Sequence, residues 1–300
     1  MSFAMVLGAA LAAACPMQQE VLAAAASAIS RDYVDQARGA DIARAVAQWA
    51  DSGRYADDCD DPAAFLARLN MDLDAYDGHF HVEAADDADG AQDWLMAWRA
   101  DATRVNAGVR DVRVLEGNIG YLRLSSFYPW DVAGPKLRNA FGLLADSEGL
   151  ILDLRQNGGG DESTANQLVR ALLGQDVASV QHVERRGVRT QSPLPRGDLP
   201  AFARPVVVLV DRRTGSAAEF VAYSLQARGR ATLVGSRTGG AANFIGEPVP
   251  LPHGHRIFVP DAKPVDAATG ANWDRHGVQP DVRGGDDPLF VARMLLAGGG

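Results

Sequence analysis

Lysine is nearly missing from this chain: Lys136 and Lys263 are its only two, and the other basic residues are arginine. A guanidinium does not give up its proton at usable pH, so a basic side chain acting as a general base would come from the six histidines or from these two lysines. Cysteine is scarce as well. Cys15 and Cys59 are the full complement, too few for a disulfide framework, and a single disulfide or two free thiols fit equally. Positive charge is in deficit, with a formal net charge of −9 and no basic stripe to offset it, which argues against a nucleic-acid partner. Neither HExxH nor a paired-cysteine spacing occurs, so no metal site is expected. Beyond the N-terminus no run approaches the roughly 20 apolar residues of a membrane span.

What is present starts with residues 1–14, small and apolar ahead of Cys15. They read as the hydrophobic part and small-residue end of a secretory signal, without the positive n-region. Leu11-Ala12-Ala13-Ala14-Cys15 also loosely fits a lipoprotein processing site, with the large residue four places before the cysteine instead of three. The expectation is export to the periplasm or cell envelope, with a lipid anchor at Cys15 as an option. An alanine-rich helix in a cytoplasmic protein is the plain alternative.

Three hundred residues at 47% apolar suffice for one large domain, or one domain with a small companion. Residues 16–110 read as a helical domain. Ile42, Ala45, Val46 and Trp49 fall on one helical face, and Asp61-Pro62 opens a helix carrying Phe65, Leu66 and Leu69. Residues 83–92 read as a loop. From Gly117 strand patterns at 119–124, 150–154, 206–210 and 232–235 alternate with helical ones at 163–173 and 219–228. That alternation predicts an α/β core over 111–290 with a mainly parallel, buried sheet. Residues 248–260 alternate around His253-Gly254-His255 as a hairpin would.

Ser216 is the first candidate for chemistry. It stands in Thr214-Gly215-Ser216-Ala217-Ala218-Glu219, between the buried run 206–210 and a helix. A hydroxyl there lies beside unpaired first-turn N–H groups, which suits a nucleophile whose product is an oxyanion. Asn157-Gly158-Gly159-Gly160 closes another strand and can aim N–H groups at a carbonyl oxygen. No lysine is near, so it is not a phosphate-binding P-loop. A plain tight turn is the other reading. For a base, Asp77-Gly78-His79-Phe80-His81 offers two histidines beside a glycine, His79 and His81, which would share one side of an extended segment. Both can equally be surface residues. An α/β-hydrolase would instead use His253, His255 or His276 after the serine, but its Gly-x-Ser-x-Gly elbow fails at Thr214 and Ala218.

Four segments in order resemble the tail-specific, or C-terminal processing, serine peptidase family, over roughly residues 60 to 285. They are Gly120-Tyr121-Leu122-Arg123-Leu124, Asp153-Leu154-Arg155-Gln156-Asn157-Gly158-Gly159-Gly160, Thr214-Gly215-Ser216-Ala217-Ala218-Glu219 and Gly277-Val278-Gln279-Pro280-Asp281. The resemblance implies a crotonase/ClpP-like β-β-α spiral core behind a small N-terminal helical domain. It implies Ser216 as nucleophile, the Ala217 and Gly159 N–H groups as oxyanion hole, Gly158 and Gly160 beside the substrate, and protein or peptide substrates with no cofactor. The interval from His81 to Gly117 is too short for the PDZ domain of one branch. That branch also uses a lysine about 25 residues after the serine, where this chain has Arg237-Thr238-Gly239-Gly240-Ala241. The other branch, with the tricorn core and the interphotoreceptor retinoid-binding repeats, draws its base from an Asp-x-His motif. That points to His79, with His81 as rival on the base or substrate side. The serine such relatives carry beside the histidine is Gly78 here. Asp274, in Asn272-Trp273-Asp274, is the expected acidic orienter, ahead of Glu247. The expected activity is Ser-His peptide hydrolysis; a non-catalytic peptide or apolar-ligand binder is the alternative.

Overall fold

The computed structural model describes residues 15–85, 90–174, 180–185, 187, 189–191, 198–266 and 269–298, so the signal-like residues 1–14 lie outside it. The chain forms two compact units, one of residues 1–87 with 245–262, the other of residues 88–244 with 263–300.

In the first unit, α1 (Pro16–Asp32), α2 (Gln36–Ser52) and α3 (Pro62–Asp74) start where their sequences say they should. Asp35 and Asp61 accept first-turn N–H groups at 3.0 Å, and proline sits in the first turn of α1 and α3, where no N–H is missed. The stripe Ile42 and Val46 is buried against Leu22, Ile29, Phe65, Leu69 and Leu73. Each such side chain contributes about 1.5–3 kcal/mol. The unit is completed from far downstream. Strand His81–Ala84 pairs antiparallel with His255–Phe258, which pairs in turn with Val249–Leu251, and Leu251, Ile257 and Val259 join the same core. A disulfide joins Cys15, the N-cap of α1, to Cys59.

The second unit holds helices α4 (Gly90–Arg104), α5 (Trp130–Leu144), α6 (Glu162–Leu173), α7 (Ala217–Ala227) and α8 (Pro288–Ala297). Its six-stranded sheet comprises β1 (Val109–Leu115), β2 (Ile119–Leu124), β3 (Gly149–Asp153), β4 (Val206–Val210), β5 (Ala231–Gly235) and β6 (Val282–Arg283). The spatial order is β6-β5-β4-β3-β2-β1. β1 is antiparallel to β2, and every other pairing is parallel.

β3 and β4 are buried along their whole length, which is why they read as unbroken apolar runs. Side-chain alternation splits them between two layers. Leu152, Val208, Val210 and Leu233 join Leu137, Leu168 and Val221 of α5, α6 and α7. Tyr121, Ile151, Val207, Leu209 and Val234 meet Ala292 of α8. Because the strands run parallel, the loops leaving β3, β4 and β5 emerge on one rim of the sheet. These features make the expected α/β core. No helix of the described residues is long and apolar enough to cross a membrane.

Candidate active site

Ser216 lies on that rim, half-buried, where β4 gives way to α7. Its backbone has φ +49° and ψ −123°, a conformation that strains a residue carrying a Cβ and persists only when neighbours enforce it. The enforcement is visible. Gly215 N–H donates to Asn157 O at 2.9 Å, Thr214 Oγ1 donates to Leu154 O at 2.9 Å, and Gly239 N–H donates to Thr214 O at 2.9 Å. The turn is tied on one side to the loop after β3 and on the other to the loop after β5.

Glu219 completes the clamp from the first turn of α7. Its carboxylate, with no exposure at all, accepts the N–H groups of Ser216 at 3.0 Å, Gly240 at 2.7 Å and Ala241 at 2.8 Å, together with the Thr238 hydroxyl. Burial raises this carboxyl above its ordinary value, and the four donors pull against that rise. The Ser216–Glu219 bond also explains why α7 begins at Ala217, two residues ahead of the stretch read from sequence. In the segment Thr238 to Ala241, expected to hold the base of a lysine-type site, Thr238, Gly240 and Ala241 are donors to Glu219 and Gly239 is a donor to Thr214.

The glycine loop presses directly on Ser216. A Cβ on Gly159, whose φ is +106°, would sit 2.7 Å from Ser216 Cβ and 2.9 Å from Ala217 N, so only glycine fits. Ser126 Oγ and Phe127 N–H both donate to Gly159 O, at 3.0 and 2.8 Å. The Gly159 N–H expected for the oxyanion is already engaged. It donates to Asn157 Oδ1 at 2.9 Å, in an Asx turn that shapes the loop. Gly160 forms a parallel bridge with Phe127 through its neighbours' groups, so its own N–H has no acceptor among the described residues. The Ala217 N–H, at the first position of α7, has none either. Beneath the loop, Asp153 accepts from Tyr121 at 2.7 Å and from Arg155 at 2.6 and 2.9 Å. Burial alone would raise the Asp153 carboxyl, yet these bonds hold it below its ordinary value. An apolar recess of about 80 Å³ opens beside Ser216, walled by Phe220, Ala242, Phe244, Pro264 and Trp273, with Gly160 and Ala217 at its rim.

His79 belongs to the first unit, in the turn after α3. Its Nδ1 lies 3.1 Å from Asp77 Oδ1, which also accepts the His79 backbone N–H at 3.0 Å. Asp77 Oδ2 accepts the Tyr33 hydroxyl at 3.0 Å. The Asp77 side chain is 1% exposed, and Tyr33 is held by stacking on Phe80 at 5.4 Å. A carboxylate at Nδ1 favours the tautomer with its proton there and leaves Nε2 a lone pair. That Nε2 is buried and has no hydrogen-bond partner among the described residues. His81 behaves differently. It points out of strand His81–Ala84, 53% exposed, with Nε2 3.3 Å from Glu83 Oε2.

Asp274, the expected orienter, is in the second unit beside Trp273, with its carboxylate 3.6 Å from Arg275; the place at His79 Nδ1 is filled by Asp77. His253 pairs with Glu20 at 2.9 Å, His255 contacts Pro252 O at 3.1 Å, and His276 is exposed. No group of three or more histidine, cysteine, aspartate or glutamate side chains able to hold a metal occurs among the described residues. Sequence reasoning missed Tyr33 altogether, since nothing in its local pattern points 44 residues ahead to Asp77. The Glu219 clamp was legible only as a motif letter.

Known proteins share the fold. The family model for peptidase family S41 matches residues 118–283, over half of the chain. A carboxyl-terminal-processing protease from Synechocystis sp. is 37% identical over 118 residues, 39% of this chain and 26% of that protein. The chain spans between 26% and 41% of the length of the curated relatives it matches. Among solved structures, a lipoprotein from Streptococcus agalactiae superposes with a TM-score of 0.64 at 17% identity, covering 94% of this chain and 97% of that one. The photosystem II D1 C-terminal processing protease gives 0.55 at 20%, covering 91% and 94%; both likenesses are of fold. The serine turn and both loops tied to it fall inside the matched span, and the chain belongs to peptidase family S41.

Proposed function

We propose that this protein is a serine peptidase that hydrolyses peptide bonds in protein or peptide substrates, with residues 111–290 as its peptidase core. His79 Nε2 takes the Ser216 hydroxyl proton as Oγ attacks the scissile carbonyl carbon. The Ala217 and Gly160 N–H groups receive the oxyanion, Gly160 replacing Gly159, whose N–H is bound to Asn157. His79 then protonates the leaving amine, and water, deprotonated by the same nitrogen, releases the acyl group as a carboxylate. Asp77, in place of Asp274, keeps the His79 ring in the required tautomer. The observation that carries this reading is Ser216 itself, held at positive φ with a free helix-start N–H beside its hydroxyl. The apolar recess next to it suits a small apolar side chain on the acyl side of the cut. The relatives' names point to trimming near carboxyl termini, and that is the proposed use.

The Cys15–Cys59 disulfide supports export to the periplasm or cell envelope, since such bonds persist in oxidising compartments. A sulfur so engaged cannot also carry a thioether-linked lipid, so the proposed exported form has no anchor at Cys15.

A fluorophosphonate probe tests the chemistry. Wild type should be labelled, Ser216→Ala not at all, and His79→Ala slower by at least about 10³-fold. Equal labelling of Ser216→Ala would end the reading. A folded wild type that resists the probe yet binds peptides would put the non-catalytic binder in its place.

A further inference from the structure

Many arginines among the described residues are matched by a carboxylate. Arg54 pairs with Asp72, Arg155 with Asp153, Arg228 with Asp266 and Arg256 with Glu83. Arg212, Arg213, Arg237 and Arg283 have no ion-pair partner among the described residues. All four are exposed, and all four stand on one rim of the second unit's sheet, in the segments after β4 and β5 and at the end of β6. In a chain of net charge −9, unpaired cations gathered in one place create a local field opposite to that of the whole molecule.

A recess of about 490 Å³ opens on that rim, within the range of ligand-binding clefts. Arg155, Arg237 and Arg283 line it, above a floor that includes Gly235, Gly284 and Gly285. One of its charges is spent internally, Arg155 being neutralised by Asp153; the lining carboxylate Asp211 keeps its charge and accepts the N–H groups of Gln156 and Arg213 at 3.0 and 2.9 Å. Arg237 and Arg283 remain for a ligand. The recess is also near the chemistry by chain length alone. Arg213 is three residues before Ser216, at most about 11 Å of chain, and Arg237 is four residues before Ala241, whose N–H is bound to Glu219.

We infer that this recess holds an acidic stretch of the polypeptide substrate a few residues from the scissile bond, with Arg237 and Arg283 taking its carboxylates. Guanidinium and carboxylate match in geometry as well as charge. The inference rests on the peptidase reading for its choice of ligand, because a peptide reaching Ser216 passes along the rim that carries both arginines. A phosphate ligand would present the same charge, so the test separates the two.

Two fluorescent peptides identical except for Glu or Gln at the flanking positions are titrated against the Ser216→Ala protein by anisotropy. The Glu peptide should bind about tenfold tighter at low salt, with the gap closing at about 0.5 M salt. In the same Ser216→Ala background, the Arg237→Gln/Arg283→Gln double variant should bind the Glu and Gln peptides equally. Equal affinities, or a preference that survives the double substitution, would overturn the inference. So would displacement of the Glu peptide by inorganic phosphate at equal concentration, which would mark a general anion site. Binding is read without turnover, so a failure here is distinct from a failure of the peptidase reading, which the probe decides separately.

Discussion

Backbone reaches Ser216 from two sides, from the loop after β3 and the loop after β5, and Glu219 binds its N–H from a third. His79 stands in one short turn, its ring beside Asp77, which also accepts the Tyr33 hydroxyl. The first arrangement is cross-linked by backbone from two loops, with glycine leaving no slack. The second is a relay of side chains, from Tyr33 through Asp77 to the ring. A nucleophile in a strained conformation needs the former; a base needs only its ring plane and tautomer fixed.

That contrast can be broken at the weaker arm first. Asp77→Asn should lower kcat by about 10³- to 10⁴-fold, by favouring the wrong histidine tautomer, while circular dichroism stays unchanged; a loss under tenfold would mean that another group orients His79. Cys59→Ser should reduce the unfolding free energy of the first unit by about 4 kcal/mol for a bond spanning 44 residues. Denaturant melts would show this, with the second unit's transition unmoved. On the rigid arm, Gly159→Ala should cost about 100-fold in probe-labelling rate, because the new methyl group would collide with Ser216 Cβ. The protein should still fold, as the collision is confined to the rim. Tyr33→Phe is expected to be the mildest, about 1 kcal/mol in stability and roughly fivefold in kcat.

The same contrast explains what the sequence made legible. Most of what surrounds Ser216 is contiguous, an apolar strand, a turn and a helix with Glu219, and the glycine loop closes the earlier strand β3. Each appears as a local pattern, and parallel pairing then brings them together. The limit was atomic. No pattern says that the Gly159 N–H turns to Asn157 while that of Gly160 stays open. The histidine's supports are scattered. Asp77 is two residues away and could be read as part of a motif, but Tyr33 comes from α1, and its partnership depends on tertiary packing that local periodicity does not encode. Asp274 is expected only from where Asn272-Trp273-Asp274 falls in the resemblance, and position along a chain carries little information about which acid meets a given ring nitrogen. The arginine rim was invisible for the same reason, since its members become neighbours only when β4, β5 and β6 line up.

The first unit has a consequence for how the protein is made. Its strand His81–Ala84 waits for a partner about 170 residues downstream, roughly 9 to 35 s of synthesis at ordinary ribosome speeds. During that interval α1, α2 and α3 lack Leu251, Ile257 and Val259 from their shared core. The N-terminal part of the chain is thus the first to be translated and among the last to be finished. The Cys15–Cys59 bond, once formed in an oxidising compartment, ties the start of α1 to the segment before α3 without needing the hairpin.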